Sequence, residues 1–361
     1  MPEITNTNIT NTDPTDLPRS SNIPDFKNVC LRIGLSMICV FVVRGVCSIL
    51  LSVMYPLLEQ MDIVLGYALQ TLMSFVFLDV IPITLAIFIL KEPSKETRAR
   101  LYQKPVYLSN AIGVFPACYG VAIFVNLLTL AVSYFLSKSD FVEASNPLNS
   151  LPIDNIPCGI ISLVNMVVIA PICEEFWFRG IIMESLRPYG NGFAIFVSAF
   201  LFGLTHANFQ QFFYATVMGV CLGYIAISTK SLVTTTIMHA MLNSVSGLLL
   251  FFMSIESVGD YLMAMDSGAE AEMTPAVTAF LVYQFLVIML MLVGMIMAAF
   301  KLRKIRRYKV PKMWTELSTG KRWGIFFSRV TVIIMLVLAA DTFTFQFIPR
   351  MIYEGIMNVI G

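Results

Sequence analysis

The chain has 361 residues, of which 57% are hydrophobic and only 13% charged, and its mean hydropathy is +0.77. A soluble chain carries about 25% charged residues, so this composition describes a membrane protein. A formal net charge of +1 supplies no basic face, which excludes a nucleic-acid partner. The seven cysteines, Cys30, Cys39, Cys47, Cys118, Cys158, Cys173 and Cys221, all lie in apolar stretches and include no C-x-x-C pair. They indicate neither a disulfide framework nor a thiolate metal site. His206 and His239 are the only two histidines, so any imidazole chemistry must use one or both.

Residues 1–28 are rich in Thr, Asn, Pro and Asp and offer no apolar run to bury, so they read as a flexible cytoplasmic tail. They lack the basic start, apolar core and cleavage site of a secretory signal peptide. A bilayer core of about 30 Å needs about 20 helical residues. Nine segments meet that need: 29–55, 63–90, 108–136, 156–186, 191–207, 210–228, 231–253, 274–300 and 325–349. The expected fold is therefore an all-α polytopic membrane protein of about nine transmembrane helices. It divides into the tail, N-terminal spans within 29–155, a chemistry-bearing helical bundle over 156–250 (helices 4–7), and C-terminal spans within 251–361.

Positive residues should collect in alternate loops on the cytoplasmic side. Loop 91–107 carries Lys91, Lys95, Arg98, Arg100 and Lys104, and loop 301–322 is still more basic. Loops 56–62, 137–155 and 254–273 are acidic or nearly free of Lys and Arg. With nine spans this pattern puts the N-terminus in the cytoplasm and the C-terminus outside. Within the spans, Arg44, Asp79 and Asp341 are ionisable residues at depth, and such residues must find partners or line a cavity. An ion pair between Arg44 and Asp79 is one reading. A transport pathway is another, although no internal repeat supports it.

The fourth span ends in Pro171-Ile-Cys-Glu174-Glu175-Phe-Trp-Phe-Arg179-Gly180. Successive helical residues point about 100° apart, so the two glutamates cannot face the same spot. Glu175 and Arg179 are i and i+4 with the acid first, the favourable order for pairing. Glu174 is thereby left with a free carboxylate. The fifth span places Phe202 and His206 on one face. In the seventh, Thr235, His239, Asn243 and Ser246 form a polar stripe that must turn inward. His239 and Asn243 project as two donors about one turn apart, suited to a developing oxyanion; an interhelical polar zipper is the structural alternative. Counting rise along the spans puts Glu174, His206 and His239 about 20, 22 and 12 Å from the cytoplasmic ends, close enough to meet. Gly219 and Gly223 form a G-x-x-x-G pair that permits close helix approach.

In this order, Glu174-Glu175-x-x-x-Arg179, Phe202-x-x-x-His206 and His239-x-x-x-Asn243 resemble the three motifs of the CAAX protease and bacteriocin-processing (CPBP) family of intramembrane proteases, which includes the type II CAAX prenyl endopeptidases. The resemblance covers roughly residues 156–250. It implies that this bundle is a catalytic core hydrolysing a peptide bond of a hydrophobic or lipidated peptide substrate within the bilayer. Glu174 and His206 would then activate water, and His239 and Asn243 would stabilise the oxyanion. Glu175, Arg179 and Phe202 would support the site structurally. The expected location is a bacterial cell membrane.

Members of the family are often labelled metalloproteases, and Glu174, His206 and His239 could in principle supply three zinc ligands. No H-E-x-x-H is present, and ligation would consume the base and the oxyanion donor, so a cofactor-free glutamate mechanism is preferred. Two other functions remain open on sequence: a non-proteolytic immunity or scaffold protein of the same fold, and a transporter.

Overall fold

The computed structural model describes residues 23–58, 60–95, 97–98, 108–138, 141–143, 155–305, 317–344 and 347–349. Its architecture is helical, as composition and periodicity imply. The helices are α1 (Ile23–Leu58), α2 (Ile63–Leu90), α3 (Leu108–Lys138), α4 (Ile156–Tyr189), α5 (Asn191–Thr205), α6 (Phe209–Thr229), α7 (Leu232–Met253), α8 (Glu256–Ser267), α9 (Pro275–Ile305), α10 (Thr319–Phe327) and α11 (Val330–Thr344). Two three-residue strands, Phe141–Glu143 and Phe347–Pro349, pair antiparallel outside the helical bundle.

Among the described residues seven helices are long and apolar enough to cross a bilayer, and α10 with α11, bent by 70°, forms an eighth span if the pair is counted as one. Each of the nine segments read from sequence thus meets a helix, but the fifth differs in kind. Helix α5 has 15 residues, short of the roughly 20 needed for a full crossing. It is enclosed by protein, with Phe193, Ala194, Val197, Leu201 and Phe202 all buried. Apolar residues on the outer faces of the longer helices, among them Val53, Phe88, Phe135 and Ile296, stay exposed, as a lipid-facing surface requires.

The N-terminal boundary needs correction. Helix α1 starts at Ile23, so residues 23–28 are helical and not part of a flexible tail. The reason is Phe26, fully buried against Tyr189 and Phe193, which compensates the ordering of that first turn. Residues 1–22, most of loops 91–107 and 137–155, the middle of loop 301–322 and the C-terminal stretch 350–361 lie outside the described residues.

Two prolines shape the helices that carry the charged groups. A proline in a helix has no N–H and its ring clashes with the carbonyl four residues earlier. In α2 a π-helical segment, Val76–Val80, ends two residues before Pro82, and in α4 another, Asn165–Ile169, ends two residues before Pro171. The wider turn absorbs the clash in both cases. A third π segment, Phe176–Met183, follows the two glutamates. Helix α5 packs closely on α6 because Gly219 leaves room. A Cβ there would stand 2.9 Å from Cα of Ala199 and 3.3 Å from the Phe202 ring.

Candidate active site

The site is built from α4, α5 and α7, and its centre is the pair of glutamates. Glu175 is fully buried, with its Oε1 2.9 Å from Nη1 of Arg179, the i, i+4 partner expected from helix geometry. The same oxygen lies 2.9 Å from Nδ1 of His239 on α7. Glu175 therefore bridges a guanidinium and an imidazole, a second partner that same-helix spacing could not reveal. Arg179, also fully buried, donates through Nη2 to the Gly219 carbonyl at 3.1 Å and stands 4.8 Å from the Phe202 ring centroid. One arginine thus ties α4 to α5 and α6.

Glu174 points elsewhere, as the 100° step requires. Its side chain is 23% exposed, and its Oε2 lies 3.5 Å from Nε2 of His239, beyond a good hydrogen bond. The two imidazole nitrogens of His239 thus face the two glutamates, one tightly and one loosely. An ionised carboxylate only accepts, so the short contact to Glu175 assigns a proton to Nδ1 of His239. A donor at Nε2 then requires the imidazolium form.

His206 caps the C-terminal end of α5. Its Nδ1 is 2.9 Å from the Phe202 carbonyl, which can only accept, so the Nε2 lone pair is left free. The Phe202 ring stands edge-on to both imidazoles, with centroids 4.9 Å from His206 and 5.7 Å from His239. Phe202 is fully buried and spaces the two histidines. No direct hydrogen bond joins Glu174 to His206 among the described residues.

Asn243 is half-buried, and its Nδ2 donates to the Met166 carbonyl at 3.0 Å. Pro171 explains this bond. In the π segment the Ala170 N–H serves the Asn165 carbonyl, and the next donor in that register would be Pro171, which has none. The Met166 carbonyl is orphaned by the proline and recovered by Asn243. One amide proton of Asn243 is thereby engaged, and the other makes no bond among the described residues. Of the polar stripe on α7, Thr235 and His239 are buried, Asn243 is partly so, and Ser246 is exposed, so the stripe turns outward at its far end. Ser198 fixes α5 to the third π segment through the Phe178 carbonyl at 2.8 Å.

The N-terminal spans also reach the site. The π segment holding Asp79 packs on the part of α4 that bears Glu174. Arg44 and Asp79 interact electrostatically, but among the described residues they make no direct ion pair: Arg44 donates through Nη1 to the Thr205 carbonyl. Among the described residues no group of three His, Cys, Asp or Glu side chains is placed to hold a metal ion; the Nδ1 bond of His239 to Glu175 leaves its Nε2 facing Glu174.

Fold and site together define a polytopic membrane protein with a carboxylate–imidazole centre inside its helical bundle. Residues 157–245 match the family described as "Type II CAAX prenyl endopeptidase Rce1-like", and the match contains every motif residue named above. The chain is also 24% identical over 181 residues, 50% of its own length and 70% of the relative's, to "Putative membrane peptidase YdiL" of Bacillus subtilis (strain 168). No solved structure matches. The likeness to this family is confined to the core over residues 157–245.

Proposed function

We propose that the protein is an intramembrane endopeptidase that hydrolyses a peptide bond of a hydrophobic or lipidated substrate. The observation that carries this reading is the division of labour between adjacent glutamates: Glu175 buried and doubly paired, Glu174 partly open and 3.5 Å from His239.

In this account the Glu174 carboxylate takes a proton from a water held by it and by the Nε2 lone pair of His206. The water oxygen bonds to the scissile carbonyl carbon, and negative charge moves to the carbonyl oxygen. Nε2–H of the His239 imidazolium and the second amide proton of Asn243 donate to that oxyanion. Glu175, anchored by Arg179, stabilises the imidazolium from the other side. The C–N bond then breaks, and the leaving nitrogen takes the proton from Glu174. Each charge is met by a nearby partner in a largely buried site, where such interactions are stronger than in water. In this reading the mechanism needs no metal.

The loop charges further support a cytoplasmic N-terminus and an external C-terminus. Liposomes containing the protein, incubated with hydrophobic and prenylated peptides in ¹⁸O water, test the reaction. We expect cleaved products with one ¹⁸O in each new carboxyl group, absent with Glu174→Gln. Intact peptides across the whole set, from well-folded wild type, would overturn the proposal.

A further inference from the structure

The family match begins at residue 157, yet the cluster around Glu174 includes charges from α1 and α2. Helix α5 shows why. An α-helix leaves its last four carbonyls without intrahelical partners. In α5 the Phe202 carbonyl meets Oγ1 of Thr205 at 2.8 Å and Nδ1 of His206 at 2.9 Å. The Gly203 carbonyl takes the His206 N–H at 3.2 Å, and that of Leu204 takes the Ala207 N–H at 3.1 Å. The fourth carbonyl, Thr205, directly before His206, is met by Nη1 of Arg44.

We propose that Arg44 is a positioning residue of this site, clamping the C-terminal end of α5 so that His206 is held with Nδ1 on the Phe202 carbonyl and Nε2 free. A guanidinium suits that place twice over. It completes the capping of the helix end, and its positive charge complements the negative end of the helix dipole. Its charge is met in turn by Asp79 and Glu174, both within electrostatic reach. Ala207, one residue past His206, has φ +52°, a conformation that L side chains seldom adopt. Helix α5 ends there, and Asn208 donates to the His206 carbonyl at 3.2 Å. The α1 span is by this inference part of the working site, although it lies outside the matched core.

The presence of only two histidines makes this testable without any substrate. In ¹⁵N-histidine-labelled protein, His206 of the wild type should show a single Nδ1–H tautomer. In Arg44→Met it should show a mixture of tautomers or exchange broadening, while His239 keeps its signals. An unchanged His206 spectrum in folded Arg44→Met would overturn the inference. Dipolar recoupling between arginine Nη and the threonine carbonyl carbon, in wild type labelled at those two types, checks the contact without depending on a variant's folding. Its absence would equally overturn the inference.

The activity arm rests on the proposed peptidase reading. There Arg44→Met should lower kcat at least about tenfold with KM within about twofold, and Arg44→Lys should recover part of it. A moved His206 spectrum without peptidase activity in wild type would sink the peptidase reading and leave the role of Arg44 standing. Active wild type with an unmoved spectrum in Arg44→Met would do the reverse.

Discussion

Replacing Glu175 and Glu174 by glutamine, one at a time, should give opposite outcomes. The Glu175 carboxylate has no exposed surface, and a single oxygen serves Arg179 and His239, each at 2.9 Å. Removing its charge leaves a fully buried guanidinium without a counter-ion and His239 without the acceptor that fixes its tautomer. Breaking a buried pair by removing one partner costs about 3–5 kcal/mol, enough to lower both abundance and thermal midpoint. Glu174 is 23% exposed and its ion-pair contact, to His239, is a loose 3.5 Å, so Glu174→Gln should cost less than about 1 kcal/mol while removing the base. Arg179→Met in the Glu175→Gln background should recover part of the loss. Recovery stays incomplete because the Gly219 carbonyl then loses its donor, at about 1–3 kcal/mol. Fluorescence size exclusion after a temperature ramp, read on wild type, Glu175→Gln, Arg179→Met and their double as a double-mutant cycle with Glu174→Gln alongside, measures both terms. Equal stability of the two single glutamine variants, or no coupling between Glu175 and Arg179, would refute the reasoning.

Asn243→Ala should lower kcat about 10² to 10³-fold if the free amide proton serves the oxyanion. It should also cost about 1–3 kcal/mol through the orphaned Met166 carbonyl, and Pro171→Ala should reduce that structural cost by restoring a helical donor; peptide cleavage and melting of the double mutant separate the two effects. Gly219→Val should separate α5 from α6 and cost about 1–3 kcal/mol, since its Cβ would stand 2.9 Å from Ala199; a melting curve reads this directly. Purified protein should retain activity after strong chelation and contain no stoichiometric zinc by elemental analysis, and activity restored only by added zinc would reverse the choice of mechanism. Single cysteines in a background lacking the native seven should be shielded from an impermeant reagent in loops 91–107 and 301–322 and labelled in 137–155 and 254–273.

What was legible in the sequence followed from local periodicity. Nine apolar segments meet nine helical stretches because hydropathy and length govern insertion, and the Glu175–Arg179 pair follows from a four-residue step on one helix. The second partner of Glu175 was not legible, since His239 is 64 residues away on another helix. Nor was the engagement of Asn243, although Pro171 carried the signal: a proline inside a span orphans a carbonyl that some neighbouring donor must reach. The direct contact of Arg44 was missed for a related reason. Arg44 and Asp79 were recognised as charges needing partners and do interact, but the hydrogen-bond partner of Arg44 is a backbone carbonyl, and a sequence carries no label for a helix end that lacks a donor.

The most direct test of the central claim is comparative peptidomics of membranes from cells expressing wild type or Glu174→Gln at matched abundance. The account predicts a set of new peptide termini, flanked by apolar residues, present with wild type and lost with Glu174→Gln. Identical termini in the two membranes, with both proteins folded and equally abundant, would contradict it.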